Sequence, residues 1–411
     1  MNSKRLLIAT GSAIMGVMLI FSVVAAGPDL TPEEQLGKAI FFDANLSANN
    51  NLSCASCHAP EAGFTGPLAD INAHGAVYEG SDLSKFGNRK PPSAAYATIS
   101  PIFHRDNKGL FTGGNFWDGR ATGEKLGNPA ADQAQGPFLN PLEQALSTSA
   151  DVVTRVCAGS YGDLFRQVWG STMCDPANVD EAYDVIGLSI AAYEASPEVN
   201  AFTSKYDYAF RGKVKLTKEE QKGFALFQGK GGCKACHTSN GQDALFTDYT
   251  FDNLGVPKNL ENPFYYADLV FNPLGSDWID LGLGGFLETR TDYANYADDN
   301  MGMQKVPTLR NVGKGSCEAE PTNPDCIVKA YGHNGYFKSL WGIVHFYNTR
   351  DVLDMCPSDS TEADALANNC WPAPEVSENV NDDELGDLGL TFEEEQAIVA
   401  FLMTLSDGYT P

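Results

Sequence analysis

The run Cys-x-x-Cys-His occurs twice, as Cys54-Ala55-Ser56-Cys57-His58 and as Cys233-Lys234-Ala235-Cys236-His237. Two thiols at this spacing can each add to one vinyl group of a haem, and the adjoining histidine then reaches the iron from the same short turn. A redox dithiol has no use for the following histidine, and a zinc site needs two further ligands at knuckle spacing. The doubled motif therefore predicts two covalently bound haem c groups. Cys54, Cys57, Cys233 and Cys236 are the attachment points, and His58 and His237 are iron ligands.

The segments ahead of the motifs are also doubled. Thr31-x-Glu33-Glu34-Gln35-x-Gly37 followed by Phe41 recurs as Thr217-x-Glu219-Glu220-Gln221-x-Gly223 followed by Phe227. In both, threonine caps a helix, acids fill the first turn, and an aromatic arrives on the apolar face. This internal duplication predicts a mainly α chain of two cytochrome c-like helical domains with long loops, each built around its own haem. At 411 residues and 43% apolar content the chain is large enough for two such cores. Gly212 and the Thr217 cap mark the boundary, giving domains at 27–212 and 213–411.

Residues 1–26 carry Lys4 and Arg5 ahead of an apolar run that closes with Val24-Ala25-Ala26, the pattern of a signal peptide cleaved after Ala26. A retained membrane anchor is the alternative. Periplasmic export agrees with the six remaining cysteines, which fall into the close pairs Cys157 with Cys174, Cys317 with Cys326 and Cys356 with Cys370. Neighbour pairing is the simplest of the fifteen connectivities, and such disulfides are typically worth ~2–4 kcal/mol each in an oxidising compartment. The formal net charge is −25, or −27 once Lys4 and Arg5 leave with the signal. That acidity argues against a nucleic-acid partner and fits solubility, or the steering of a basic redox partner. No segment beyond the signal is apolar enough to span a bilayer.

Between His58 and Pro101 the chain is rich in Gly, Pro and Ala and reads as loop, followed by an aromatic cluster from Phe111 to Arg120. Residues 141–211 read as helical, with Val152, Val153, Val156, Ile186, Leu188, Ile190 and Tyr193 on apolar faces. Long irregular insertions are expected at 240–300 and 355–390. A final helix capped by Thr391 carries Ile398, Phe401, Leu402 and Leu405 toward the second haem.

Further motifs are Phe116-Trp117-Asp118-Gly119-Arg120, Gln133-Ala134-x-Gly136-Pro137, Asn140-Pro141-x-Glu143, Val306-Pro307-Thr308-Leu309-Arg310-Asn311 and His333-Asn334-Gly335. Together they resemble the bacterial di-haem cytochrome c peroxidase and MauG family along almost the whole mature length. The resemblance implies that the first haem meets hydrogen peroxide while the second stores or relays electrons. It implies Glu143 as the acid/base group, with Gln133 and Pro137 beside it on the distal side of the first haem. Trp117 would relay charge between the haems, and Arg120 would hold a propionate or a carboxylate. A six-residue insertion between Trp117 and the Gln133 block departs from the family pattern.

Other departures bear on the branch. The peroxidase branch places a methionine ligand fourteen residues after the histidine of its His-x-Gly motif, and counting from His333 reaches Tyr347, where the MauG-like branch has an iron-bound tyrosine. Anionic oxygen ligation favours ferric and higher iron states. His345 is the rival, but residues two apart on a helix point about 200° from each other. Leu340, Ile343, Val344 and Tyr347 share the apolar face, leaving His345 with Trp341 and Lys338. His74, sixteen residues after His58, is a candidate distal ligand by its match to the removable histidine of the peroxidase branch, while MauG-like proteins keep that site open. His333 is expected near the haems rather than on an iron, and His104 in a loop. Family members hold calcium between the haems with an Arg-Asn-x-Pro stretch. Here Arg89-Lys90-Pro91-Pro92 puts an ammonium where a carbonyl oxygen would coordinate, so Lys90 is expected to replace the ion's charge.

The resemblance thus implies a periplasmic, peroxide-dependent di-haem oxidoreductase that oxidises a protein partner and modifies its tryptophan or other aromatic residues, as MauG and MbnH do. One alternative is peroxide reduction with electrons from a small cytochrome c or copper protein. Another is a non-catalytic di-haem electron carrier, against which Glu143 and Gln133 speak. The partner's identity and homodimerisation lie beyond the sequence.

Overall fold

Capping boxes open three long helices in the computed structural model, which describes residues 29–411. Thr31, Thr217 and Thr391 accept from the backbone three residues on, while Glu34, Glu220 and Glu394 reach back to the threonine N–H. The signal peptide expected at 1–26 lies outside the described residues. The helices of the first part of the chain are α1 Pro32–Phe41, α2 Cys54–Cys57, α3 Ala69–Ala73, α4 Pro129–Leu139, α5 Ser149–Ala158, α6 Gly162–Trp169, α7 Val179–Ala195 and α8 Lys205–Phe210. They continue as α9 Lys218–Gln228, α10 Gly282–Glu288, α11 Leu340–Thr349, α12 Glu362–Asn368 and α13 Phe392–Met403. Among the described residues strand is limited to two-residue ribbons. β1 His104–Arg105 pairs antiparallel with β2 Phe111–Thr112, β3 Phe251–Asp252 antiparallel with β4 Gln304–Lys305, and β5 Asp354–Met355 parallel with β6 Cys370–Trp371. The chain is mainly α, as expected.

The duplication extends from sequence into packing. α1 crosses α7 at Gly37, where an added Cβ would lie 1.8 Å from the Ser189 carbonyl oxygen and 2.9 Å from the Tyr193 Cβ. α9 crosses α13 at Gly223, where it would lie 1.8 Å from the Ala397 oxygen and 2.9 Å from the Phe401 Cβ. Only glycine lets backbones approach this closely. Around each crossing sits a hydrophobic cluster, one drawn from Leu36 to Val199 and the other from Tyr206 to Leu405.

A third cluster of Phe103, Phe111, Phe251, Leu283 and Leu287 ties β2 and β3 to α10. Here the structure corrects the expectation of purely irregular insertions. α10 forms within 240–300 because Leu283 and Leu287, one turn apart, are fully buried in this cluster. α12 forms within 355–390 behind a capping box of Thr361 and Asp364. The three expected disulfides are present, Cys157–Cys174, Cys317–Cys326 and Cys356–Cys370. Among the described residues no helix is long and apolar enough to cross a membrane.

Candidate haem and redox site

Each Cys-x-x-Cys-His run folds as a single turn, α2 in the first copy and a 3-10 turn at Cys233–Ala235 in the second. The histidine that follows is anchored alike in both. His58 Nδ1 lies 3.2 Å from the Phe64 carbonyl oxygen and His237 Nδ1 lies 2.8 Å from that of Phe246. Both phenylalanines adopt the left-handed region, with φ of 60° and 55°, in a chain reversal that turns the carbonyl back toward the imidazole. An Nδ1–H donated to a carbonyl leaves Nε2 as the coordinating nitrogen. Burial keeps both rings neutral, taking His58 down to about 4 and lowering His237. The four motif cysteines take no part in disulfides, in contrast to the other six.

One cavity joins the two motifs. Its lining is mainly apolar, with convergent polar groups. Its wall includes His58 and His237, one from each motif, together with Gln133, Trp117 and Tyr347, the last near Cys233 and Cys236. Two Cys-x-x-Cys pairs outside the disulfides, two neutral imidazoles with Nε2 available and one cavity lined by both histidines suit two haem c groups.

Trp117 is 8% exposed and tethered on both sides. Its Nε1–H donates to the Lys90 carbonyl at 2.8 Å, and its own carbonyl accepts from the Lys305 N–H at 2.7 Å. Both lysine amines are buried. Lys90 Nζ donates to Thr65 Oγ1 at 3.0 Å and the Pro91 carbonyl at 3.1 Å. Lys305 Nζ donates to Ser100 Oγ, Asn115 Oδ1 and the Gly114 carbonyl. A third amine, Lys329 Nζ, donates to the carbonyls of Ala62, Asn311 and Lys314. None of the three contacts a carboxylate among the described residues, and burial lowers their pKa to about 8, 7 and 7 respectively.

Glu143, half-buried just after α4, stands close enough to the first motif to raise the pKa of Cys54 and Cys57. Burial raises its own pKa, opposed by Arg120 and by Asn140. Gln133 lies on α4 in the cavity wall, and Pro137 sits one turn further along that helix, its carbonyl accepting from the Gln144 N–H. Arg120 stacks its guanidinium 3.9 Å from the Phe116 ring centroid and bonds Asp118 at 2.8 Å. Asp118 in turn meets Arg89, which grips Asp280 with two bonds of 2.6 Å.

Leu340, Ile343, Val344 and Tyr347 line the cavity while His345 does not. Burial raises the Tyr347 pKa, and the nearby Cys233 and Cys236 add to it. His345 Nδ1 is 2.9 Å from Glu395 Oε1, on the opposite face, as the helical geometry predicts. His333 is buried in the wall with Nε2 3.4 Å from Glu375 Oε2. His74 is exposed at the end of α3, with Nδ1 2.8 Å from the Asp70 carbonyl oxygen, and the structure does not bring it to the cavity. His104 forms part of β1, also exposed.

Glu194 has no counterpart among the sequence-derived candidates. It lies on α7, is 4% exposed, lines the cavity and has no hydrogen-bonding partner among the described residues. Burial pushes its carboxyl up to about 8, and its charge reaches Cys54. The duplicated position is Leu402, since each residue follows the aromatic of its glycine crossing. Aligning α7 on α13 would have exposed this difference.

The family model described as di-haem cytochrome c peroxidase matches residues 31–215. Methylamine utilization protein MauG of Paracoccus denitrificans is 34% identical over 379 residues, covering 90% of this chain and 88% of the relative. Cytochrome c551 peroxidase of Nitrosomonas europaea is 28% identical over 307 residues, covering 73% of each chain. Among solved structures, the diheme peroxidase BthA from Burkholderia thailandensis superposes with a TM-score of 0.72 at 28% identity, covering 93% of this chain and 88% of that one.

Proposed function

The chain belongs to the di-haem cytochrome c peroxidase family that includes MauG, and we propose that it is a periplasmic peroxide-dependent oxidoreductase that oxidises a protein partner and modifies its tryptophan or other aromatic side chains. One observation carries this reading: a single cavity is lined by both His58 and His237 and, with them, by Trp117, Gln133 and Tyr347.

On this reading, residues 27–212 and 213–411 each hold one haem c, through Cys54, Cys57 and His58 and through Cys233, Cys236 and His237. Bound there, the two haems supply the iron redox chemistry of peroxide cleavage. Glu143 takes the proton from the near oxygen of peroxide and delivers it to the departing one, a role suited to a carboxyl whose pKa is raised. The Gln133 amide orients the peroxide, and Pro137 keeps that wall free of competing donors. Tyr347 would join His237 in holding the second haem, Trp117 would bridge the two haem sites, and Arg120 would steady a propionate. Lys90 supplies positive charge in place of calcium, supported by the bonds its amine donates to Thr65 Oγ1 and the Pro91 carbonyl. Periplasmic residence is supported by the signal-like residues 1–26 and the three disulfides.

The test mixes the diferric holoprotein with a slight excess of hydrogen peroxide under optical and Mössbauer observation. A persistent change at both irons without prior reduction is the expected result. Change only after one haem has been reduced would assign the chain to peroxide reduction with an external donor. No change in either state would leave an electron carrier.

A further inference from the structure

Trp117 and Trp341 differ in the group that their indole N–H meets. The Trp117 indole is bonded to a neutral carbonyl, that of Lys90, and meets no carboxylate among the described residues. A neutral carbonyl stabilises positive charge on the ring less than a carboxylate does. Trp341, in the first turn of α11, lies beside two carboxylates. Its Nε1–H donates to Glu395 Oε2 at 2.9 Å, and Glu395 is only 2% exposed. The other oxygen of Glu395 accepts from His345 Nδ1 at 2.9 Å and from Asn348 Nδ2 at 2.6 Å. A second carboxylate, Glu318, accepts from the backbone N–H groups of Leu340 and Trp341. Although burial works the other way, the bonds from His345, Asn348 and Trp341 hold Glu395 below the usual glutamate range, so it is an anion at neutral pH.

Aromatic rings connect this site to Tyr347. Ring centroids are 6.1 Å apart from Tyr347 to Phe346, 5.1 Å from Phe346 to Trp371 and 6.0 Å from Trp371 to His345. His345 then stacks on Trp341 at 5.3 Å with an interplanar angle of 24°. Trp341 is itself partly exposed and meets Phe392, which is 58% exposed, at 5.8 Å.

We infer that Trp341 is the site at which an oxidising equivalent reaches the protein surface and meets an electron-rich aromatic side chain of the partner, with Trp117 serving as a bridge that is not itself oxidised. This rests on the peroxide reaction proposed above, which supplies the oxidant. One electron leaves the Trp341 indole toward Tyr347 in the cavity wall, and the Nε1 proton moves along the existing bond to Glu395 Oε2. The partner's side chain then returns one electron to Trp341 and is oxidised by one, while Glu395 returns the proton to Nε1. The carboxylate is well placed for this because it both stabilises positive charge on the ring and accepts its proton.

The experiment treats the holoprotein with excess hydrogen peroxide and no partner, follows the haem spectra, traps the mixture for EPR and maps oxygen addition by peptide mass spectrometry. Oxygen addition at Trp341 with Trp117 unmodified is expected, together with a tryptophan radical signal that disappears in Trp341→Phe. Glu395→Gln should reduce labelling at Trp341 by about tenfold. Labelling of Trp117 or Trp371 with Trp341 intact would overturn the inference, as would responsive haem spectra with no tryptophan modified. Haem spectra that ignore peroxide would defeat the proposed function itself, and this inference with it. The wild-type peptide map decides the matter even if a variant fails to fold.

Discussion

The indole N–H of Trp117 and the carbonyl of Lys90 are joined at 2.8 Å, while Lys305 holds the carbonyl of the same tryptophan at 2.7 Å. One residue thus ties the loop after the first haem motif to β4, which belongs to the second half of the chain. Trp117→Phe leaves the buried Lys90 carbonyl without its donor, at a cost of about 1–3 kcal/mol. Stopped-flow spectra should then show the peroxide-induced change at the second haem slowed by at least about tenfold, equivalent to ~1.4 kcal/mol. An unchanged rate would remove Trp117 from the path.

Glu143 is the half-buried carboxyl whose charge reaches the first motif. Glu143→Gln keeps its shape and removes its proton chemistry. The rate of the peroxide reaction should fall by roughly 10²–10⁴-fold with the resting haem spectra unaltered, the usual contribution of a positioned acid/base. A fall below threefold would assign that role elsewhere.

Features carried by local chemistry were legible in the sequence. The haem motifs, the threonine caps and the division of α11 into a Tyr347 face and a His345 face depend on spacings of a few residues, and the three disulfides on spacings of 9 to 17. What escaped depends on contacts across tens of residues or more. Glu194 reads as one more acid on an amphipathic helix until α1 and the haem cavity close over it. Lys305 precedes the apolar Val306 and Pro307 and looks like an ordinary surface cation, yet its amine is capped by groups from Ser100 to Asn115, about 190 residues earlier. The carbonyls of Phe64 and Phe246 that orient the histidines depend on left-handed backbone at a bulky residue, which local propensity disfavours and tertiary packing imposes.

The two glycine crossings predict a matched pair of packing defects. Gly37→Ala would drive a methyl group into the Ser189 carbonyl, and Gly223→Ala into that of Ala397. Each should cost about 1–3 kcal/mol as the helices are forced apart. Denaturant unfolding of the holoprotein measures this, and an effect at one glycine only would show that the two crossings are not energetically equivalent.

Tyr347 faces the cavity near Cys233 and Cys236, where burial disfavours its ionisation in the absence of a cation. Iron would reverse that preference by stabilising the phenolate. Tyr347→Phe should therefore change the optical spectrum of the second haem and raise its reduction potential, since an anionic ligand to ferric iron is lost. Identical spectra and potentials in variant and wild type would leave Tyr347 as a packing residue.

Glu194 provides a pH test. A glutamate with the ordinary value of 4.5 is pushed by burial up to about 8, while its charge is felt by Cys54 and Tyr193. Between those two values the folded chain retains a proton that the unfolded chain has released. The stabilising contribution is therefore complete below 4.5 and is lost as pH rises through about 8. The full swing is on the order of several kcal/mol, since a tenfold change in proton affinity corresponds to about 1.4 kcal/mol. Glu194→Gln cannot titrate at this position, so the thermal midpoint of the wild type should fall relative to that of the variant between pH 4.5 and about pH 8. In infrared difference spectra the protonated carboxyl band should fade around pH 8 in the wild type alone. Parallel stability curves for the two proteins would mean that Glu194 already finds a partner once haem fills the cavity, and its carboxyl would then have to be ionised throughout.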